Sequence, residues 1–298
     1  MTLQAGASSP GLLRRVHLYL GLVRFSHTIF ALPFAIMSLF LARPGEWPDP
    51  RSTLLILLAM VSARTAAMAY NRLVDREIDA ENPRTRERHL PARLLGVGEV
   101  RLLVACSSLA FVLCAWFLNL LAFALSFPVL VLLLFYSHTK RFTAASHFFL
   151  GAALGLAPMG VWIAVHGVVD RSCLIPGTLG LAVLLWVAAF DILYSCQDVE
   201  FDRSAGLRSI PARLGIGRSL VISRLLHALM VVLLLLLTLQ VTLGPIYLTG
   251  VAMVALLLLY EHALIRSDNL SRINLAFFTV NGCVSLLLCA CTLLEVLA

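Results

Sequence analysis

The chain has 298 residues, of which 60% are hydrophobic and only 13% charged, with a mean hydropathy of +0.92. A soluble domain carries about 25% charged residues, so this composition excludes a soluble globular protein and implies a chain that crosses a membrane several times. The formal charge of +7 has no basic stripe interleaved with aromatics behind it, so it argues for membrane orientation and against a nucleic-acid partner.

Taken in chain order, nine apolar stretches reach membrane-crossing length: Val16–Ala42, Thr53–Tyr70, Val97–Asn119, Leu121–Tyr136, Ser146–His166, Leu174–Ser195, Ser219–Gln240, Leu243–Ile265 and Ile273–Ala298. They are continuous runs, not alternating ones, so the spans are helices and not strands of a barrel. Asn119 and the Ser126-Phe127-Pro128 step separate the third span from the fourth. Residues 1–15 carry no signal-peptide cleavage pattern, so the first span reads as a mature helix. The seven cysteines lie within or beside spans, form no CxxC pair and read as packing residues.

Basic residues orient these spans. With the N-terminus inside, the inner segments 1–15, 71–96, 137–145, 196–218 and 266–272 hold sixteen Lys or Arg, against Arg43, Arg51 and Arg171 outside. The N-terminus is therefore expected in the cytoplasm and the C-terminus on the far side, with the chain in the cell's inner membrane.

The inner segment after the second span is the anomaly. Residues 71–96 hold eleven charges, among them Asp75 and Asp79, which continue from Asn71 at steps of four. On a helix that spacing makes one polar stripe at the edge of the hydrocarbon. Much of the remaining segment, Arg76 to His89, reads as a solvated loop, as do Glu77, Glu81 and Glu87. The end of the sixth span and the segment after it repeat the arrangement: Asp191, Tyr194, Asp198 and Asp202 fall along one side at steps of three or four. "LPARLLG" at Leu90 and "IPARLGI" at Ile210 then come after the two acidic series at similar distances. The copies are four spans apart and face the same side, as a parallel internal duplication requires. One domain, 1–298, is expected, built of two halves (about 16–145 and 146–265) plus a ninth helix, 273–298.

Carboxylates converging at membrane depth repel one another unless a cation compensates them. Oxygen ligands from Asp and Asn suit Mg²⁺, which keeps coordination sites for water or phosphate oxygens. Two such sets facing across a cavity are suited to a diphosphate held through bridging Mg²⁺. Lys140 and Arg141, in the short inner loop "YSHTKRFT", are either ordinary inner-side charges or partners for a departing diphosphate. Arg24, inside the first span, calls for an acid or phosphate partner, and His27 reads as a packed polar residue. Arg64, eleven residues before Asp75 and roughly 16 Å deeper on a straight helix, has no role assigned from sequence.

At these residues the chain resembles the UbiA family of intramembrane aromatic prenyltransferases. The family's NxxxDxxxD signature appears as Asn71, Asp75 and Asp79; its DxxYxxxDxxxD signature as Asp191, Tyr194, Asp198 and Asp202; its YxxxKR loop as Tyr136, Lys140 and Arg141. Arg72 stands where many members have a second acid, which leaves one ligand fewer. The resemblance implies a nine-helix bundle in which Asn71, Asp75, Asp79, Asp198 and Asp202 hold two Mg²⁺ ions on a polyprenyl diphosphate. It further implies that Lys140 and Arg141, with Arg24, stabilise the leaving group, and that Tyr194 belongs to the substrate site. An aromatic acid would attack the allylic cation, and Asp191 is the candidate for positioning it or receiving its ring proton. The acceptor implied is 4-hydroxybenzoate in ubiquinone biosynthesis, with a dihydroxynaphthoate of a menaquinone route as the alternative. The rival from another class is a cation-coupled transporter, which needs acids near the bilayer midplane; here they cluster at one face. The partners expected are the lipid bilayer and the two small substrates, with no nucleic acid and no obligate protein partner.

Overall fold

The computed structural model describes residues 12–23 and 30–298, so Arg24 and His27 lie outside the described residues. Helices α1 (Leu12–Leu22) and α2 (Leu32–Leu41) divide the stretch expected as the first span. The remaining long helices are α3 (Pro50–Glu81), α4 (Val97–Leu118), α5 (Leu120–Thr139), α6 (Ser146–His166) and α7 (Leu174–Ser195). The short α8 (Val199–Ser204) and α9 (Ile210–Leu214) precede α10 (Ile216–Leu237) and α11 (Pro245–Leu264). A single turn, α12 (Ile273–Leu275), runs through a π-helical Ala276–Val280 into α13 (Asn281–Leu297). Among the described residues eight helical stretches are long and apolar enough to cross a membrane, and α2 is a shorter apolar helix beside them.

Local chemistry explains where these helices begin and end. Asp49 caps α3, its carboxylate accepting from the Ser52 N–H at 2.8 Å, with Pro50 following at the first helical position. Asn119 adopts an extended conformation between α4 and α5. Its side-chain oxygen accepts from the Ala122 N–H at 2.8 Å, and its amide donates to the Ile163 carbonyl at 2.9 Å. One side chain thus breaks a long apolar run in two and fixes the corner against α6.

The most buried helix is α7. The apolar window along it is 61% buried, against 17% for α4 and α5, which makes α7 the axis and α4 and α5 the lipid-facing wall. Trp186, Val183 and Leu179 meet Phe34 and Met37 of α2, Met230 and Leu234 of α10, Tyr247 of α11 and Leu288 of α13 in one core. Leu102, Leu109, Phe117 and Val131 point outward from α4 and α5, as lipid permits. Lipid offers no water to polar groups inside the bundle, so hydrogen bonds between helices take its place. Trp186 Nε1 donates to Asn281 Oδ1 at 2.7 Å and Asn281 Nδ2 to Glu261 Oε1 at 2.8 Å, tying α7, α13 and α11 together.

Helix α6 closes on α7 through glycine. A Cβ on Gly151 would strike the Leu184 carbonyl, and one on Gly155 or Gly180 would strike the other's carbonyl oxygen. The GxxxG spacing of Gly151 and Gly155 gives α6 a flat face where backbones touch, which is how helices associate in lipid. Gly160, on the same helix, faces open space. Overpacking a seam costs about 1–3 kcal/mol, so Gly180→Ile is expected to lower the unfolding temperature in detergent by several degrees. Gly160→Ala should leave it unchanged or raise it. Equal melting of both variants in a fluorescence-detected thermal ramp contradicts the seam.

Candidate active site

Helix α3 is 32 residues long, about 48 Å at 1.5 Å per residue, and exceeds the roughly 30 Å of hydrocarbon. Its last turns therefore leave the apolar layer, and they carry Asn71, Asp75 and Asp79. Asp75 and Asp79 are 3% and 4% exposed, facing into the bundle. Glu77, Glu81 and Glu87 are at the surface, as their sequence position implies.

The second acidic series does not lie on one uninterrupted helix. After Ser195 the chain tightens into a 3₁₀ turn, Cys196–Asp198, and resumes as α8. Asp191, Tyr194, Asp198 and Asp202 nevertheless line the same cavity as Asn71, Asp75 and Asp79, a space of about 310 Å³. Lys140 lines it too, and so does Arg64, together with the apolar Phe30, Leu150, Leu154, Phe190 and Phe277. The cavity is thus ionic at one part of its wall and aromatic or aliphatic at the other. The Arg141 side chain is not part of that wall. It bonds the Ser137 and Val74 carbonyls, at 2.9 Å each, and Asp75 Oδ1 at 3.2 Å.

Each acid has its own counter-charge or donor. Asp75 Oδ2 accepts from Lys140 Nζ at 2.6 Å and from Asn71 Nδ2 at 3.0 Å. Asp79 Oδ1 accepts from Arg88 at 2.7 Å, and Arg72 stands 3.9 Å from its Oδ2. Asp198 is gripped by Arg84, whose Nε and terminal nitrogen donate to the two carboxylate oxygens at 2.8 and 2.5 Å. A guanidinium fork fits a carboxylate edge in this way and a lysine cannot. Arg84 also donates to the Tyr194 hydroxyl at 3.1 Å and lies over the Tyr194 ring at 5.3 Å. Burial draws the Arg84 guanidinium down, but the hydrogen bonds and charge of Asp198 outweigh it, so the group stays above its ordinary value. Asp202 accepts from Ser209 Oγ at 2.7 Å.

Sequence reasoning therefore misses the loop after α3, which it takes for solvent-exposed chain. Asn82, Arg84, Thr85 and Arg88 all line the cavity, and Asn82 Nδ2 reaches Asp198 Oδ1 at 3.3 Å. The signal present is two arginines one turn apart, placed after the acidic stripe. His147 is missed as well. It lines the cavity 2.7 Å from Asp191, and a single histidine beginning an apolar helix gives little warning. The inner loops are also joined to each other: the Arg208 N–H donates to the Lys140 carbonyl at 2.7 Å, and its guanidinium to the Phe142 carbonyl at 2.6 Å.

Among the described residues no three Asp, Glu, His or Cys side chains form a ready-made metal cluster. The donor set still fits a hard divalent ion: carboxylates and the carboxamides of Asn71 and Asn82 around a single cavity, with Asp79 Oδ2 buried and receiving no hydrogen bond.

Comparison with known proteins agrees with this geometry. The model of the UbiA prenyltransferase family matches residues 31–282. A 4-hydroxybenzoate octaprenyltransferase of Methylobacillus flagellatus is 30% identical over 262 residues, 87% of this chain and 86% of that protein. The apo structure of a UbiA homolog from Aeropyrum pernix superposes with a TM-score of 0.82 at 35% identity, covering 90% of this chain and 98% of that one. A UbiA homolog from Archaeoglobus fulgidus bound to GPP and Mg²⁺ shares the fold, with a TM-score of 0.73 at 20% identity, over 94% of this chain and 100% of that one. An all-helical membrane bundle with two acidic motifs on one cavity, matched by that family over most of its length, makes this chain a member of the UbiA prenyltransferase family.

Proposed function

We propose that the chain transfers a polyprenyl group from its diphosphate to an aromatic acid, 4-hydroxybenzoate, on the route to ubiquinone. The observation that carries this reading is the cavity, in which motifs more than a hundred residues apart set acids and cations beside an apolar wall. That division suits a donor with a diphosphate head and a hydrocarbon tail. The name of the Methylobacillus relative supports the acceptor, and the GPP and Mg²⁺ of the Archaeoglobus homolog support the donor and the ion. The basic loops support a site at the cytoplasmic face of the inner membrane. The similar run from acidic series to PAR loop in both halves supports descent from a duplicated four-helix unit.

Asn71, Asp75, Asp79, Asp198 and Asp202 would hold the Mg²⁺, two ions, for the diphosphate. Bound there, Mg²⁺ supplies the positive charge that favours departure of the diphosphate oxygen. Lys140 adds a cation from the cavity wall, and Arg141, behind it, holds Asp75 and the loop in place. Arg84 fixes Tyr194 and Asp198 in one arrangement, so Tyr194 presents its ring to the cavity at a set angle. Arg64, deeper along α3, supplies the positive charge that a carboxylated acceptor requires. Phe30, Phe190 and Phe277 form an apolar surface that excludes water from an allylic cation and offers it aromatic faces. Asp191 positions the acceptor or receives its ring proton.

Asp75→Ala, Asp79→Ala, Asp198→Ala and Asp202→Ala are each expected to reduce transfer by about 10²-fold or more while the protein still accumulates in membranes. Near-normal turnover in any two of them removes the metal assignment. Chelation with EDTA should abolish transfer and added Mg²⁺ restore it, and a chelator-insensitive enzyme contradicts the mechanism. The acceptor is tested by incubating membranes with prenyl diphosphate and either 4-hydroxybenzoate or a dihydroxynaphthoate, followed by mass spectrometry of the lipid extract. Prenylated 4-hydroxybenzoate is the expected product, and product from the naphthoate alone overturns the assignment.

A further inference from the structure

His147 is the second residue of α6, only 3% exposed, in a helix that is otherwise apolar through most of its length. A buried imidazole needs a partner at each ring nitrogen, and the two partners here decide its state. Nδ1 is 2.7 Å from Asp191 Oδ2 on α7. Nε2 lies 3.4 Å from the backbone N–H of Ile210, the first residue of α9. A backbone N–H only donates, so Nε2 must accept. The ring hydrogen then sits on Nδ1 and is donated to the carboxylate, giving a directed chain from Ile210 through His147 to Asp191.

The chain has one productive direction. The Nε2 lone pair of His147 is taken by the backbone, whereas the Asp191 side chain is 25% exposed and lines the cavity. The histidine is thus the inner member and the carboxylate the outer one. Electrophilic substitution on an aromatic ring needs such a carboxylate. The C–O bond to diphosphate breaks with its electron pair leaving on oxygen, and a ring π-pair forms the new C–C bond. The hydrogen on that ring carbon then departs as a proton, its bonding pair returning to the ring.

Resting on the prenyl transfer assigned under Proposed function, we propose that His147 is the positioning residue for this last step. It holds Asp191 by Oδ2, so that Oδ1 is the oxygen that takes the ring proton. The proton later leaves Asp191 to water at the cavity mouth. Because Ile210 begins the "IPAR" element, the second repeat reaches the chemistry through an orienting hydrogen bond as well as through its acids.

The test uses the full-length protein in lipid nanodiscs with a prenyl diphosphate and either ordinary or ring-deuterated aromatic acid. Misplacing a catalytic group by about an ångström costs about 10²-fold, and His147→Phe is expected to lower kcat by roughly that factor. KM for the prenyl diphosphate should stay within about twofold, since donor binding does not use this pair. Deprotonation should then limit the rate, so the isotope effect on kcat rises, and where the new C–C bond reopens before the proton is lost, water captures the regenerated cation and more of the consumed diphosphate ends as free prenol. His147→Asn, which can place an amide N–H near the Nδ1 position, should recover most of the loss. Asp191→Asn should reproduce the rise in isotope effect, and the double variant should be no worse than the poorer single one, as for residues acting as a unit. Should His147→Phe fail to fold, His147→Gln, whose amide falls near the Nε2 position and not at Nδ1, carries the isotope measurement in its place with the same expected rise. Wild-type kcat in His147→Phe, or a loss of kcat with an unchanged isotope effect and no recovery in His147→Asn, overturns the proposal. A wild-type protein that transfers to no aromatic acid removes the underlying function, and this proposal with it.

Discussion

Carboxylates at the edge of a low-dielectric bundle must have positive charge within reach, and the architecture of the inner face follows from that requirement. Asp75 and Asp79 are almost wholly buried. Lys140 and Arg141 descend on Asp75 from the α5–α6 loop, and Arg88 folds back on Asp79 from the loop after α3. Arg84 crosses to Asp198, a partner 114 residues away. The loops are consequently shaped by the acids they cover. In the function proposed, such a cavity would exchange one set of positive charges for another as metal and diphosphate enter, and at no stage need it hold bare negative charge.

The apolar half of the molecule answers a different demand. Bilayer lipid gives no hydrophobic drive for helices to associate, so close backbone approach and internal hydrogen bonds must hold them. Gly151, Gly155 and Gly180 provide the first between α6 and α7. The Trp186–Asn281–Glu261 chain provides the second between α7, α13 and α11. Both devices converge on α7, the helix that ends in the second acidic series. Its rigidity fixes Phe190, Asp191 and Tyr194 relative to one another, so the stability of the bundle and the precision of the site have a common source.

Much of this is legible in the sequence, for reasons that can be named. Hydropathy locates most of the spans, because each needs about twenty apolar residues whatever its neighbours do. Spacing locates the acids, because steps of three and four on a helix stay on one side. Asn119 can be read as a break because a capping side chain acts locally. The features that escape reading depend on distance in space. Arg84 and Arg88 sit in a segment whose composition matches any solvated loop, and only the fold brings Asp198 to Arg84. The 3₁₀ turn at Cys196–Asp198 leaves no mark on residue spacing. His147 looks like an ordinary buried polar side chain until α6 is laid against α7.

The backbone bond from Arg208 to the Lys140 carbonyl has a consequence for how such enzymes diversify. It joins the loop that covers the second acidic series to the loop that supplies a cation to the first, so neither can change length without disturbing the other. Grafting a substrate preference from a relative by exchanging one inner loop would therefore carry a mismatched anchor into the recipient. The inheritable module is the pair, residues 137–145 together with 203–211, and productive chimeras should keep the two loops from the same parent.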